Sequence, residues 1–246
     1  MKNEKNLVHD MILKSAQVSS HILNEKEMDK INQFTLSPLS PEEVFTFKVV
    51  MCDNEIDRAF EAFPRSSLQT LADLYVGKTF IKDHTRVSDN QVARIYDTEL
   101  IQDNTKVSKT GEPYTQLVAH CYMVLTESNK DLVAEIKGGI KKEVSVGCGI
   151  NKAVCSICGT DNHKDYCKHY WGKSYEGKTC YFTLEEPKDA YELSFVAVPC
   201  QPMAGTRKSY SGIDKSPQEL EKKNKMTSEE LELRMKCLDS FLFTQV

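Results

Sequence analysis

The stretch KEVSVGCGI, residues 142–150, is predicted to form a β-strand whose two faces differ in polarity. Alternation of this kind is typical of a strand that packs one face against a core. The apolar face is predicted to hold Val144, Val146, Cys148 and Ile150. The other face then carries Glu143, Ser145, Gly147 and Gly149. A hydroxyl with glycines next to it on the same face leaves room for a substrate carbonyl, and nearby backbone N–H groups could stabilise an oxyanion. A lone outward serine, however, is usually only solvated.

Further strands and helices are predicted on both sides of this stretch. The strands are rich in β-branched and aromatic residues and span 44–52, 78–84, 91–101, 114–124 and 190–199. One helix is predicted within 64–77, with a hydroxyl cap at Ser66 or Ser67 and a stop at Gly77. A second is predicted within 128–139, ended by two glycines. The pattern predicts an α+β fold, a β-rich and barrel-like domain with flanking helices.

Composition divides the chain into three parts. Residues 1–42 are polar and are predicted to form an N-terminal arm with some helix. The domain itself is expected at 43–205. Residues 206–246 read as a flexible linker, to about residue 226, followed by a capped amphipathic helix.

Charge and hydropathy argue against two classes of partner. The net charge of −4 disfavours a nucleic-acid-binding protein, whose domains usually carry a basic surplus. No apolar run approaches the roughly 20 residues that would span a membrane. The N-terminus also lacks the long apolar segment of a signal peptide. We therefore expect a cytoplasmic protein with no nucleic-acid or membrane partner.

A serine nucleophile needs a base and a group that orients the base. His84, at the end of the strand KTFIKDH, remains after elimination, because His120 lies inside an apolar strand. The other histidines fall in the arm or in a cysteine cluster: His9, His21, His163 and His169. Glu192 enters the apolar strand AYELSFVAVP and needs a partner, which a catalytic histidine would supply. The alternatives are a surface histidine at a strand end and a solvated glutamate.

Nine cysteines in a chain without a signal peptide indicate free thiols and a metal cluster rather than disulfides. Four of the nine fall within an insertion at 153–181. Its Cys155-x2-Cys158 and Cys167-x-His169 pairs predict a Cys3His zinc knuckle, with His163 and Cys180 as reserve ligands. Four protein ligands leave no open position, so a structural Zn²⁺ is predicted. Reduced cysteines without metal are the alternative.

Five motifs in order resemble the prohead (capsid maturation) serine proteases of tailed bacteriophages, relatives in fold of the herpesvirus assemblins. They lie within about residues 44–208 and read DNEIDRAFEAFP (53–64), GKTFIKDH (77–84), QVARIYD (91–97), KKEVSVGCGI (141–150) and ELSFVAVPCQPMAG (192–205). By this resemblance His84, Ser145 and Glu192 form the catalytic triad. The chain departs from the family at Cys200, where relatives often have Ala. The herpesvirus branch uses a second histidine as the third residue of the triad, and this chain has no histidine after His169.

The resemblance implies a serine endopeptidase that cleaves scaffold and capsid proteins, and itself, inside the immature capsid in the bacterial cytoplasm. Self-association is left open. One alternative is a non-catalytic capsid assembly or scaffold protein that keeps the protease fold. Another is a zinc-ribbon nucleic-acid module, although acidic residues dilute the lysines near the cysteines. The insertion could brace the active-site strands or dock on capsid or scaffold protein.

Overall fold

The computed structural model describes residues 23–206 of the chain. Helix α1 spans Glu25–Asn32, α2 spans Arg65–Tyr75 and α3 spans Lys130–Lys137. The linker beyond residue 206 and the C-terminal helix predicted within 206–246 lie outside the described residues, as does the arm up to residue 22.

Ten strands make up most of the regular structure of this part of the chain. In chain order they are β1 (Val44–Asp53), β2 (Glu61–Ala62), β3 (Thr79–Lys82), β4 (Ala93–Val107), β5 (Pro113–Val124), β6 (Val144–Cys155), β7 (Ser174–Tyr175), β8 (Lys178–Thr179), β9 (Phe182–Phe195) and β10 (Gly205–Thr206). The predicted mixed α/β, strand-rich class is therefore confirmed.

Eight of these strands form one sheet whose path is β10-β1-β5-β4-β3-β9-β2, with β6 paired to β9 outside that path. The predicted barrel-like form is not a closed barrel among residues 23–206, because the path of the sheet has two ends. Strands β7 and β8 form a separate hairpin. Strand β9 is the centre of the site described below, because it pairs in parallel with β3 and antiparallel with β6.

Several element boundaries differ from those predicted. Strand β4 continues beyond the predicted end at residue 101 to Val107, because it pairs with β5 as far as Pro113. Strands β6 and β9 are longer than predicted, because they pair with each other as far as Cys155 and Phe182. The predicted hydroxyl cap of α2 is wrong: Pro64 occupies the cap position without a side-chain bond, and the Ser67 hydroxyl instead donates to the carbonyl of Leu184.

One main core lies between the sheet and the helices α2 and α3. It contains the apolar face predicted for residues 144–150, with Val144 fully buried and Val146 packed against it. Helix α1 belongs to the same body, because Met28 and Ile31 pack against Tyr96 and Tyr122 in a second cluster. Residues 23–206 contain no helix that is long and apolar enough to cross a membrane.

Candidate functional site

Strand register places the three predicted catalytic residues around β9. Glu192 pairs with Thr79 of β3 on one side and with Gly147 of β6 on the other. Ser145 pairs with Ser194, two residues along β9 from Glu192. Directly paired residues and residues two apart on a strand share a face. Ser145 and Glu192 therefore lie on the same face, opposite the core.

His84 and Glu192 are joined by a hydrogen bond of 2.8 Å between Nδ1 and Oε1. The Glu192 side chain is 2% exposed, whereas that of His84 is 43% exposed. A buried carboxylate needs such a partner, because burial without one is costly. Among the described residues, neither the other carboxylate oxygen of Glu192 nor the neighbouring Thr79 hydroxyl has a hydrogen-bond partner, although both are buried.

The position of the Glu192 carboxylate requires a glycine at position 147. A Cβ atom built on Gly147 would lie 2.1 Å from Glu192 Oε1, whereas real Cβ contacts are essentially never under 3.0 Å. The space over Gly147, two residues after the serine, is thus filled by the carboxylate rather than left open for a ligand. Sequence reasoning had predicted that this space would admit a substrate carbonyl.

A strained turn holds His84 at the end of β3. Asp83 and His84 have φ values of +53° and +52°, a left-handed conformation that costs non-glycine residues about 1–2 kcal/mol each. The His84 N–H donates to Ser194 Oγ at 2.9 Å, and the Asn90 amide donates to the carbonyls of Lys82 and Thr85. Strain of this kind persists where the surroundings fix it, and it clusters at functional sites. Sequence reasoning did not assign these roles to Ser194 and Asn90.

Ser145 opens onto a cleft of about 410 Å³. Its side chain is half-buried. No hydrogen bond joins its hydroxyl to His84 or to any other residue within 23–206. The cleft is also lined by Asp57 from the turn before β2, by Glu61 of β2, by Arg86, and by His163 from the insertion. Burial raises the pKa of Asp57 to about 6, and it also raises the pKa of Glu61.

The same cleft contains two thiols, Cys148 and Cys200. Burial raises the pKa of Cys148 to about 11, and burial also raises the pKa of Cys200. The thiolate is the reactive form of cysteine, so both groups are poor nucleophiles near neutral pH. Their burial argues against a cysteine nucleophile in this cleft.

The predicted rival base, His120, lies elsewhere on the sheet. It belongs to β5, is buried, and its Nε2 atom lies 2.9 Å from Glu99 Oε1 on β4. The Tyr96 ring packs edge-on against it. His120 is thus a buried histidine whose partner is the carboxylate of Glu99.

The structure brings the four predicted metal ligands together. The ligand atoms of Cys155, Cys158, Cys167 and His169 all lie within 4.8 Å of one another, so this group could hold a metal ion. Cys167 Sγ is 3.3 Å from Cys158 Sγ and 3.2 Å from His169 Nδ1. Thiolates around a tetrahedral ion with bonds of about 2.3 Å would lie about 3.8 Å apart, so the Cys158–Cys167 pair needs only slight expansion.

The two reserve ligands lie outside this group. Cys180 is fully buried with its sulphur 3.8 Å from that of Cys155, and burial raises its pKa to about 12. His163 points away, with Nδ1 2.9 Å from the carbonyl oxygen of Asn151. Within the group, hydrogen bonds from the Thr160 hydroxyl and backbone lower the pKa of Cys158 to about 6, which favours the thiolate.

No family model, characterised protein or solved structure matches the chain. Function must therefore be inferred from the geometry of the site.

Proposed function

We propose that the chain is a serine endopeptidase of the prohead-protease type, in which Ser145, His84 and Glu192 form the catalytic triad. The observation that carries the proposal is the 2.8 Å bond between His84 Nδ1 and the buried carboxylate of Glu192. This bond lies on the strand face that also carries Ser145. A histidine oriented by a buried acid, with a serine on the same strand face, supplies the three groups that acyl transfer requires.

The bond also defines which imidazole nitrogen acts as the base. An ionised carboxylate only accepts hydrogen bonds, so Nδ1 of His84 carries the proton and Nε2 holds the free electron pair. Ser145 Oγ attacks the scissile carbonyl carbon while its proton passes to Nε2. The tetrahedral intermediate then expels the amine, which takes that proton and leaves an acyl-enzyme. Water repeats the sequence and releases the acid.

The open edge of β6 is the source of candidate oxyanion donors. Between Ser145 and Ile150, β6 pairs only with β9 within the described part of the chain. Backbone N–H groups that follow Ser145 on this open edge are therefore available to a tetrahedral oxyanion. A peptide substrate would lie in the adjoining cleft.

We propose Zn²⁺ as the ion of the Cys3His group. Three thiolates and one imidazole are a frequent ligand set of structural zinc, and four protein ligands leave no position for a reacting water. The ion would hold the insertion rather than take part in catalysis.

The substrates and the place of action follow from the resemblance of the motifs. We propose that the enzyme acts on scaffold and capsid proteins, and on its own chain, within the immature capsid in the bacterial cytoplasm. The polar segment 206–226 is a candidate self-cleavage site, because exposed polar tethers are where chains are cut.

The test is a time course of intact mass for wild type, Ser145→Ala and Ser128→Ala, each mixed with its capsid and scaffold proteins. Ser128 is exposed and remote from the cleft, so it controls for the substitution itself. A fluorophosphonate is added in parallel to label an activated serine. We expect trimmed products and one phosphonyl adduct, on Ser145, in wild type and Ser128→Ala. Neither should occur in Ser145→Ala.

If all three variants stay intact and unlabelled in assembled shells, the endopeptidase proposal fails. The missing Ser145–His84 hydrogen bond would then favour the alternative, an assembly protein that retains the fold. Peptide mapping of the products in the positive case gives the cleavage sites.

A further inference from the structure

The insertion, called here the cysteine loop (residues 153–181), forms part of the cleft wall next to Ser145. Its residue His163 lines the same cleft as Ser145. Nδ1 of His163 lies 2.9 Å from the carbonyl oxygen of Asn151, on β6 just beyond the cleft-lining segment. Because a carbonyl only accepts, Nδ1 carries the proton and Nε2 is an acceptor. Such a nitrogen on the wall can accept an N–H from a bound peptide.

The backbone of the metal group holds this wall in place. The N–H of Cys167 donates to Asn162 Oδ1 at 3.1 Å, and the N–H of Asn162 donates to the carbonyl of Ala153 at 2.9 Å. The next residue, His163, has its own N–H bonded to Asp161 Oδ1 at 3.1 Å. The position of His163 thus depends on the turn at 161–163, which is hydrogen-bonded to the metal ligand Cys167.

A second wall of the cleft rests on the same loop. The carbonyl of Phe60 accepts the N–H of Phe182 at 2.9 Å. The Phe60 ring lies so close to Gly172 that a Cβ there would be 2.7 Å from it. Phe60 has a φ of +57° and sits inside the turn that presents Asp57 and Glu61 to the cleft. The cysteine loop therefore supports both sides of the cleft.

The cysteine loop has little apolar core with which to hold this shape. The buried cluster at its base contains Cys155, Cys167, Cys180 and the adjoining Phe182 of β9, with Ile157 and Tyr175 packed against it, so three of its four buried members are cysteines. In loops of this kind the free energy of metal binding is the free energy of folding. The proposed triad, by contrast, lies on β6, on β9 and at the end of β3, outside the loop.

We infer that a metal ion bound by the Cys3His group orders the walls of the substrate cleft, and that His163 is a substrate-positioning residue fixed by that metal. The inference rests on the proposed function, since it assigns the cleft to a peptide. The insertion was predicted either to brace the active-site strands or to dock on capsid or scaffold protein, and the inference assigns it the bracing role. Metal loading then governs peptide affinity more than the chemical step at Ser145.

The first experiment measures order in the walls without using activity. Full-length Ser145→Ala is loaded with Zn²⁺ or stripped with EDTA, and backbone hydrogen exchange is followed by mass spectrometry. We expect amides of 57–61 and 161–163 to exchange at least about tenfold faster without the ion. Helix α1, which packs against Tyr96 and Tyr122 rather than against the loop, should change less than about twofold. Equal exchange of both wall segments in the two states overturns the inference.

The second experiment separates binding from chemistry. His163→Ala is compared with Lys164→Ala, an exposed neighbour outside the cleft lining, on a peptide that spans the strongest cleavage site. For His163→Ala we expect KM to rise roughly tenfold, the effect of losing one hydrogen bond to substrate, with kcat within about twofold. The rate of fluorophosphonate labelling should not change. An unaltered KM contradicts the role of His163.

The two experiments fail separately from the proposed function. If no variant is labelled by fluorophosphonate, the endopeptidase proposal is wrong, and the exchange data still decide whether metal orders the walls. If labelling and cleavage proceed but neither KM nor exchange responds to metal or to His163→Ala, only the inference is wrong.

Discussion

Replacing Gly147 by Ala should break the bond between Glu192 and His84. The new Cβ would lie 2.1 Å from Glu192 Oε1 and 3.0 Å from its carboxyl carbon. To reach an ordinary contact the carboxylate must move by about 1 Å. The 2.8 Å hydrogen bond to His84 Nδ1 would then stretch to about 3.8 Å, which is no longer a hydrogen bond. The backbone of Gly147 has no positive φ, so alanine itself introduces no strain there.

The expected consequence is a large loss of nucleophile activation with the fold retained. A serine-protease histidine that loses its orienting carboxylate is slowed by up to about 10⁴-fold, so we expect a loss of about 10² to 10⁴-fold. The assay is the second-order rate of fluorophosphonate addition to Ser145, followed by intact mass. Gly149→Ala is the matched control. Its Cβ would meet only the ends of the Tyr191 and Lys188 side chains, at 2.8 and 3.2 Å, which can move aside.

A double-mutant cycle distinguishes this cause from simple blocking of the cleft. In a Glu192→Ala background no carboxylate remains to be displaced, so adding Gly147→Ala should change the rate by less than about threefold. A wild-type rate for Gly147→Ala refutes the reasoning. An equal loss in both backgrounds also refutes it, because the alanine would then act on the ligand rather than on Glu192.

Three further outcomes are expected. Burial raises the pKa of Asp57 from 3.8 to about 6, so stability contributed by its protonated form is present below pH 4 and lost as pH rises through 6. Urea unfolding of Asp57→Asn between pH 4 and pH 7 should show up to about 3 kcal/mol less decline in the free energy of unfolding than wild type. An unchanged decline contradicts the pKa shift. With Co²⁺ as probe, Cys158→Ser should lose about a third of the thiolate-to-metal absorption and Cys180→Ala none, because only Cys158 belongs to the four-ligand group. A loss in Cys180→Ala would place it among the ligands. Tyr75→Phe removes a 3.0 Å hydrogen bond from the buried Tyr75 hydroxyl to the carbonyl of Gly147, and should lower the free energy of unfolding by about 1–3 kcal/mol. An unaltered urea midpoint would show that this carbonyl finds another donor.

The sequence by itself determined the features that depend on near neighbours in the chain. Alternation of apolar and polar residues predicted the strand at 142–150, because side chains on a strand repeat with a period of two, and β-branched and aromatic content predicted those near 44–52 and 114–124. The spacing of Cys155, Cys158, Cys167 and His169 predicted the metal group, because ligands a few residues apart can converge within one loop. The strand-rich class follows from the same local patterns.

Only the tertiary structure decided how distant elements meet. His84 and Glu192 are 108 residues apart, and their bond depends on the parallel register of β3 with β9, which no local pattern encodes. The need for glycine at position 147 follows from the Glu192 side chain on the neighbouring strand. The cleft likewise combines Ser145 with the 57–61 turn and with His163. Strand partners and their register are set by packing across the whole core, so a local pattern can assign a residue to a face but cannot identify what lies opposite it.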